Sequence, residues 1–571
     1  MVKLTIDGRD VEISENATVL GAAKKAGIKI PTLCFMKHIN CIGSCRVCLV
    51  NITGEENLSA ACNTFVREGM VVQTNTAAVV DARRSNLETI LAGHRSECTK
   101  CERVDTCALR KLAADLAVPD AVEGDIPAKG VWDETFPLQR DSSKCIKCSR
   151  CVAICEKVQH CAVWKFVSSG PHASIQTSGD TIQESGCSLC GQCITHCPTG
   201  ALTARNDIDK VMAALLDPAV RTVVQVAPAV RSSWGEGIEI NPEDATPGRM
   251  ASALRALGFD HVFDTDFAAD LTIMEEGSEF IEFLGSDQPR PLFTSCCPGW
   301  VRFAKQHYPS IVPQLSSAKS PHQMLGAVVK NTMKEEAEAT GQKLFCISVM
   351  PCVAKKYECD VPELSTEGGS DVDAVLTVRE FDNMLRMFMV NCAELEETEF
   401  DNPLGESSGA GTIFGRTGGV MEAALRTAVS LLTGKDANFD DCDCTDATPE
   451  KPWTSKELEV NGTPVHIAIA SGLENTAKLL AALDKGEVAY DFIEIMACPG
   501  GCVGGGGQPI EFDRELAKDR AQILNKLDVS DSLRMSHKNS QIIELYEKTL
   551  EKPLSHTAHE WLHTHQADWK I

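Results

Sequence analysis

Hydrophobic and polar positions change their period several times along this chain, and each change marks a different kind of element. Val2, Leu4 and Ile6 alternate with polar residues, Asp7-Gly8 follows, and Val11 and Ile13 alternate again, which predicts a hairpin over residues 1 to 13. Residues 17 to 27 carry a helical pattern that stops at Gly27, residues 69 to 78 read as a further strand, and Val80 to Ala92 as a helix. From 93 to 204 continuous apolar patterning almost disappears. Beyond about 209 it returns: Val223 to Val226 reads as a buried strand running into Ala227-Pro228, Gly248 to Leu257 as a helix, and strand-like and helical runs alternate to about 500. That alternation argues for an α/β domain. The last 60 or so residues predict helices with polar interruptions. His556, His559, His563 and His565 lie close together there; with no accompanying Cys or carboxylate pattern, an exposed tail is the plainer reading.

Length and composition narrow the picture. A chain of 571 residues allows roughly three to five domains. A mean hydropathy of -0.10 and the lack of an 18-residue apolar run exclude a membrane span. The net charge of -25 argues against affinity for nucleic acid or an anionic membrane. There are 27 cysteines. The N-terminus alternates like a strand and has no apolar export signal, so a cytoplasmic setting is expected, with thiols serving metal sites rather than disulfides. Residues 93 to 204 hold twelve of these cysteines and little apolar pattern, so a bound group must hold that stretch together.

The spacings say which groups. Cys145-x2-Cys148-x2-Cys151-x3-Cys155 is followed by Cys187-x2-Cys190-x2-Cys193-x3-Cys197-Pro198, and each run has the bacterial ferredoxin spacing for 4Fe-4S clusters. The fourth cysteine of each run reaches the other cluster, giving Cys145, Cys148, Cys151 and Cys197 as one set and Cys187, Cys190, Cys193 and Cys155 as the other. Zinc sites use separated Cys-x2-Cys pairs instead. Upstream, Cys34-x10-Cys45-x2-Cys48-x13-Cys62 suits a 2Fe-2S site in a ubiquitin-like ferredoxin fold, with Cys41 as a competing thiol inside the first gap. Between them His94-x3-Cys98-x2-Cys101-x5-Cys107 is by composition a zinc site or a His-ligated 4Fe-4S site, and its place in a row of iron-sulfur modules favours the latter.

The C-terminal half carries Thr294-Ser295-Cys296-Cys297-Pro298-Gly299-Trp300, Met350-Pro351-Cys352-Val353-Ala354-Lys355-Lys356-Tyr357-Glu358, and the segment from Glu494 to Pro509 containing Cys498-Pro499-Gly500-Gly501-Cys502. These three segments resemble the signatures of the iron-only (FeFe) hydrogenases, and the order of the cluster modules resembles the clostridial monomeric type. The resemblance implies a multidomain α+β and α/β protein. Its expected parts are a β-grasp 2Fe-2S ferredoxin-like domain (1–78), a small His/Cys-ligated 4Fe-4S domain (79–120), a bacterial ferredoxin-like domain with two 4Fe-4S clusters (121–208) and a large α/β H-cluster domain (209–571).

It further implies that Cys297, Cys352, Cys498 and Cys502 hold a 4Fe-4S cube, Cys502 bridging to a two-iron subsite with CO, cyanide and azadithiolate. Lys355 matches a lysine that pairs with one cyanide, supported by Glu358, and Ala227 and Pro228 match a backbone contact to the other. Met350 and Met496 would pack on the two-iron unit. A proton relay is implied through Cys296, a water, Glu276, Ser316 and Glu279; the two glutamates share a helical face. The chain departs from relatives at Ala229, where some have Ser, and at Phe283, where a clostridial relative has Arg.

The implied reaction is reversible conversion of two protons and two electrons to H₂, with electrons passed by ferredoxin or a similar carrier and dedicated maturation proteins building the two-iron unit. The alternative is a catalytic subunit working with NAD(P)H-oxidising subunits; a purely electron-transferring or sensory subunit fits the three segments less well. Residues 83 to 111 carry Arg83, Arg84, Arg95, Lys100, Arg103, Arg110 and Lys111 against Glu88, Glu97, Glu102 and Asp105, a candidate dock for an acidic ferredoxin. Cys41, Cys161, Cys346, Cys359, Cys392, Cys442 and Cys444 are expected to be ordinary thiols.

Overall fold

The computed structural model describes residues 1–571 except 120–121, 168–172, 367–368, 445–450, 461, 513 and 570, so the expected boundary at 120 and 121 lies outside the described residues. The opening alternation forms Val2–Ile6 and Arg9–Ile13, paired antiparallel with Leu4 opposite Val11. Asp7 and Gly8 turn between them at φ of 46° and 78°. Val71–Gln73 joins Val2–Ile6 in parallel, Leu49–Ile52 and Ser59–Ala60 complete a five-stranded sheet, and helix Val19–Lys25 covers its apolar face through Val19, Ala22 and Ala23. Thr18 caps that helix by accepting from the Gly21 amide. Helix Ala77–Ala92 then runs across the expected junction at 78/79.

Residues 93 to 204 contain only short elements. Leu138–Arg140 pairs with Leu202–Ala204 and Trp164–Val167 with Ser174–Thr177, around helices Arg150–Lys157 and Gln192–Thr195. The two Cys-rich runs repeat each other in backbone as well as spacing: Lys147 and Ser149 in the first, Leu189 and Gly191 in the second, all take positive φ. These left-handed residues curl each loop so that its thiols turn inward.

The remaining chain builds two sheets. Val220–Val226 sits between His261–Asp264 and Lys343–Met350, with Ala374–Thr377 beyond, all parallel. The second sheet places Phe492–Met496 between Leu292–Phe293 and Thr463–Ser471 in parallel, with Thr454–Val460 antiparallel at the edge. Separate apolar clusters pack on these sheets. The predicted C-terminal helices form at Ala517–Ser530, Ser540–Leu545 and His556–Leu562, the last against Pro321–Thr332. Among the described residues no helix is long and apolar enough to cross a membrane.

Candidate functional site

Four parallel strands end at one cleft. Val220–Val226 runs into Ala227-Pro228, Lys343–Met350 into Pro351-Cys352, Leu292–Phe293 into Thr294 to Cys297, and Phe492–Met496 into Ala497-Cys498. The carboxyl ends of parallel strands are where α/β sheets place their sites. Helix Pro298–His307 begins directly after Cys297, whose sulfur accepts from the Ala497 amide at 3.5 Å and so ties two of the strand ends together. Met350 and Met496, the last residues of their strands, are 3% and 2% exposed.

The glycine run closes the third wall. A Cβ on Gly505 would lie 2.2 Å from Pro351 O, and one on Gly506 would lie 2.5 Å from the Gly191 Cα. Only glycine lets these backbones meet. Gln508 clamps the turn, donating to Ala229 O and Cys502 O at 3.3 Å each and accepting from Ser233 Oγ at 2.5 Å. Cys498 donates to Cys190 O at 3.5 Å, so the second ferredoxin loop abuts this site directly.

Cys297, Cys352, Cys498 and Cys502 lie within electrostatic reach of one another, and burial pushes all four thiols up, Cys352 to about 11. Four buried sulfurs ionise together only against a strongly cationic group. A donor set of this chemistry, in a cradle that a Cβ would fill, fits an iron-sulfur cube.

A polar shell flanks the set. Lys355 Nζ lies 2.7 Å from Glu358 Oε2 and donates to Cys296 O at 3.2 Å. Glu358 also accepts from Ser320 Oγ at 2.8 Å and from His322 Nε2 at 2.6 Å. Burial raises the Glu358 carboxyl, but the Lys355 charge and these donors outweigh it and hold it at about 2. Burial and the Lys355 charge push His322 down to about 4, so its ring is neutral and its Nδ1 meets Ser348 Oγ at 3.0 Å. Ser320 and His322 escaped the sequence reading; Ser320-Pro321 at a helix start was their only signal.

Glu276 and Glu279 do share a face of one helix, Thr265–Leu284. Glu276 is fully buried, and among the described residues neither carboxylate oxygen makes a hydrogen bond of good geometry, although the Ser316 side chain and the Ser295 backbone lie close enough to favour its charged form. Burial, then the neighbouring Glu279, pushes it up to about 8. Burial, then Glu276, also raises the Cys296 thiol, placing the two side chains near each other. Ser316 Oγ donates to Glu279 Oε2 at 2.6 Å. Phe283, one turn further, is 5% exposed in an apolar cluster.

The accessory sets assemble as crossed pairs. Cys145, Cys148, Cys151 and Cys197 line one small cavity, and Cys155, Cys187, Cys190 and Cys193 line another, joined by Cys161. Cys161, expected to be ordinary, is therefore a neighbour of the second set. Hydrogen bonding pairs Cys34 with Cys45 and Cys48 with Cys62, lowering Cys34 to about 5 and Cys48 to about 7. Cys41 is exposed and its sulfur meets Met36 O at 3.8 Å. His94 is buried with Nδ1 3.0 Å from Lys144 O; donating there leaves Nε2 as the free ligand nitrogen. Cys101 packs against Gly200, beside the second ferredoxin run.

The basic stretch needs correcting. Arg83 and Arg103 are 7% and 2% exposed; Arg83 donates to Leu49 O and Arg103 to Ile194 O, so neither belongs to an outer docking face. The C-terminal histidines also differ from an exposed tail, since His563 is buried.

Five stretches of the chain match known protein families. Residues 220–506 match the iron only hydrogenase large subunit, C-terminal domain, and 514–568 the iron hydrogenase small subunit. Residues 1–77 match a 2Fe-2S iron-sulfur cluster binding domain, 83–121 the NADH-ubiquinone oxidoreductase-G iron-sulfur binding region, and 137–203 the ferredoxin-like domain of NADH-quinone oxidoreductase subunit 3. The chain is 44% identical to the NADP-reducing hydrogenase subunit HndD of Solidesulfovibrio fructosivorans, over 99% of this chain and 98% of that one. It is 37% identical to iron hydrogenase 1 of Clostridium pasteurianum, over 99% of each. The solved apo FeFe hydrogenase of Chlamydomonas reinhardtii superposes with a TM-score of 0.56 at 40% identity, covering 63% of this chain and 98% of that one.

Proposed function

Because the chain belongs to the iron-only hydrogenase family and is an oxidoreductase acting on hydrogen, we propose that it catalyses 2H⁺ + 2e⁻ ⇌ H₂ at the four-strand cleft, exchanging electrons with ferredoxin through its accessory clusters. Cys297, Cys352, Cys498 and Cys502 would hold the cube of the H-cluster, with Cys502 bridging to the two-iron subsite. When bound, that subsite supplies the redox and hydrogen-binding chemistry through iron carrying CO, cyanide and azadithiolate. The chain's own residues orient and shield it. Lys355, kept in place by Glu358, offers a cation to one cyanide, Ala227 and Pro228 offer backbone to the other, and Met350 and Met496 keep the pocket dry and adaptable.

Protons would pass between Cys296 and Glu276, then to Ser316 and Glu279. A carboxyl raised to about 8 is mostly protonated near neutral pH yet within about a unit of its midpoint, which suits a group that both gives and takes a proton. With no well-aligned hydrogen bond to a described residue, its oxygens can take a bridging water. Electrons would cross one 2Fe-2S cluster on Cys34, Cys45, Cys48 and Cys62, one 4Fe-4S cluster on His94, Cys98, Cys101 and Cys107, and the two crossed 4Fe-4S sets.

The observation that carries the reading is the meeting of the second ferredoxin loop, the four-cysteine set and the Cys296–Glu276 pair at one cleft, because an electron path and a proton path need a common end. Infrared spectra of protein matured with the family's assembly proteins test it: bands of iron-bound CO and cyanide are expected, and a correctly matured sample without them rejects the reading.

A second reading is a catalytic subunit of an NAD(P)H-linked complex, favoured by the full-length similarity to a subunit of an NADP-reducing hydrogenase. Chains that co-purify from the native source decide between the two. Either way a cytoplasmic setting is proposed.

A further inference from the structure

The structure divides the C-terminal histidines. His556, His559 and His565 are exposed, but His563 is 7% exposed with both ring nitrogens engaged. Nδ1 lies 2.8 Å from Ser317 Oγ, and Nε2 lies 2.9 Å from Glu275 Oε2. The Ser317 hydroxyl and amide both reach Glu279 Oε1, at 2.8 and 2.9 Å. The other oxygen of Glu279 takes the Ser316 hydroxyl at 2.6 Å. Glu279 is therefore a junction, with Ser316 on the side of the cleft and Ser317 with His563 on the other.

The outer arm is held firmly. Glu275 is fully buried and accepts from the Tyr546 hydroxyl and from the Leu554 amide as well as facing His563. These partners fix the carboxylate, and the carboxylate fixes the imidazole. On the open side the exposed ring of His559 packs against His563, with centroids 4.5 Å apart. Further along the same helix Phe283 is buried and apolar, while Glu282, three residues beyond Glu279, is exposed.

We propose that His563 is the outer relay of the proton path, exchanging protons between Glu279 and solvent through Ser317, with Glu275 positioning its ring and His559 at the mouth. The inference rests on the hydrogenase reading above. The hydrogen bonds admit two arrangements. With Nε2–H given to Glu275, a neutral His563 presents a bare Nδ1, the Ser317 hydroxyl turns to it, and Glu279 holds the proton. With His563 doubly protonated, Nδ1–H points at Ser317 Oγ and the serine hydroxyl turns to the Glu279 carboxylate. Passing between them moves two protons by one bond each, Glu279 to Ser317 and Ser317 to His563, and leaves the serine neutral. Exchange with water beside His559 completes the transfer of one proton, made twice for each H₂.

The test uses full-length matured protein with a small artificial reductant. His563→Ala should slow hydrogen evolution at least roughly tenfold, within the scale of a lost proton-transfer group, with the CO and cyanide infrared bands unchanged. The solvent deuterium isotope effect should rise, and added imidazole should restore turnover. His563→Gln, which keeps the contacts but cannot carry the charge, should be slowed alike if the alanine variant folds poorly. His559→Gln should lose a few-fold and His556→Gln nothing. A loss without imidazole rescue and with an unaltered isotope effect would mark His563 as merely structural and overturn the proposal. So would full turnover in both His563 variants, and that result would leave the hydrogenase reading standing. Wild-type protein without the infrared bands fails that reading first, and the relay with it.

Discussion

Residues 137 to 203 and residues 220 to 506 reach order by opposite routes. In the first, paired strands are three or four residues long and the proposed ligand thiols Cys155, Cys187, Cys193 and Cys197 are part of an apolar core that continues into Phe293, Ala468 and Ile493 of the second region. In the second, two four-stranded sheets carry apolar clusters of their own, and the four cysteines sit at strand ends outside the sheets. The expectation is that the first region folds around its clusters while the second forms a socket before its own centre arrives. Such a socket suits a centre whose two-iron part is built elsewhere and delivered.

The strongest way to break this contrast is to strip iron and sulfide with an oxidant and a chelator, then follow amide hydrogen exchange. Protection over 137 to 203 should collapse, because ligand binding there is folding free energy. Amides of Val220–Val226 and Phe492–Met496 should stay protected. Equal loss in both regions would erase the distinction.

A single joint tests how the two regions are coupled. Lys356 is fully buried and bonds Asp207, in the segment between the two regions, at 2.8 Å and Glu380 of the second region at 3.0 Å. Lys356→Met takes the cation from buried Glu380 and leaves Asp207 with Arg205 at 2.9 Å alone, at a cost of about 3–5 kcal/mol. A marked fall in the denaturant midpoint is expected, and Lys356→Met with Asp207→Asn should recover part of it. An unchanged midpoint would show the joint to be incidental.

These elements also show what the sequence could and could not reveal. The crossed ferredoxin sets were legible because a thiolate run is a local pattern, and the backbone repeats it at Lys147/Ser149 and Leu189/Gly191. The hairpin was legible for the same reason. His322, Ser320 and His563 were not, since each works through partners 36, 38 and 288 residues away that only the fold supplies. The basic stretch was misread for a related reason: charge counts ignore direction, and Arg83 and Arg103 turn inward to carbonyl oxygens.

Within the socket, Glu276 sets function against stability. Its carboxyl is raised by burial from 4.5 to about 8, so the folded state holds a proton that the unfolded chain releases. Stability therefore falls as pH rises from about 4.5 to about 8 and changes no further above that. Glu276→Gln removes the penalty. The variant should be more stable than the parent by about 4 kcal/mol at pH 8 and nearly equal to it at pH 4.5, while hydrogen evolution falls at least roughly tenfold. Denaturant titrations at the two pH values measure the first effect. A gain of the same size at both would mean that packing, not ionisation, is the cause.

The smallest effect is expected at the surface of the small cluster domain, where electrons from an acidic carrier would arrive. With Arg83 and Arg103 buried, the cations left facing outward are Lys100, Arg110 and Lys111, with Arg84 and Arg95 partly exposed. They flank Cys98, Cys101 and Cys107, so a carrier docked on them would meet the His94 set first. Exposed charges of this kind act mainly on encounter, and salt screens them over about 10 Å at 0.1 M. Reversing Lys100, Arg110 and Lys111 to Glu should raise the KM for ferredoxin by roughly three- to tenfold at low ionic strength, with kcat and dye-linked turnover unchanged. The difference should shrink as salt is added. An effect that persists at high salt, or that appears with the dye as well, would place the change in the cluster domain's fold and leave docking to the 2Fe-2S module instead.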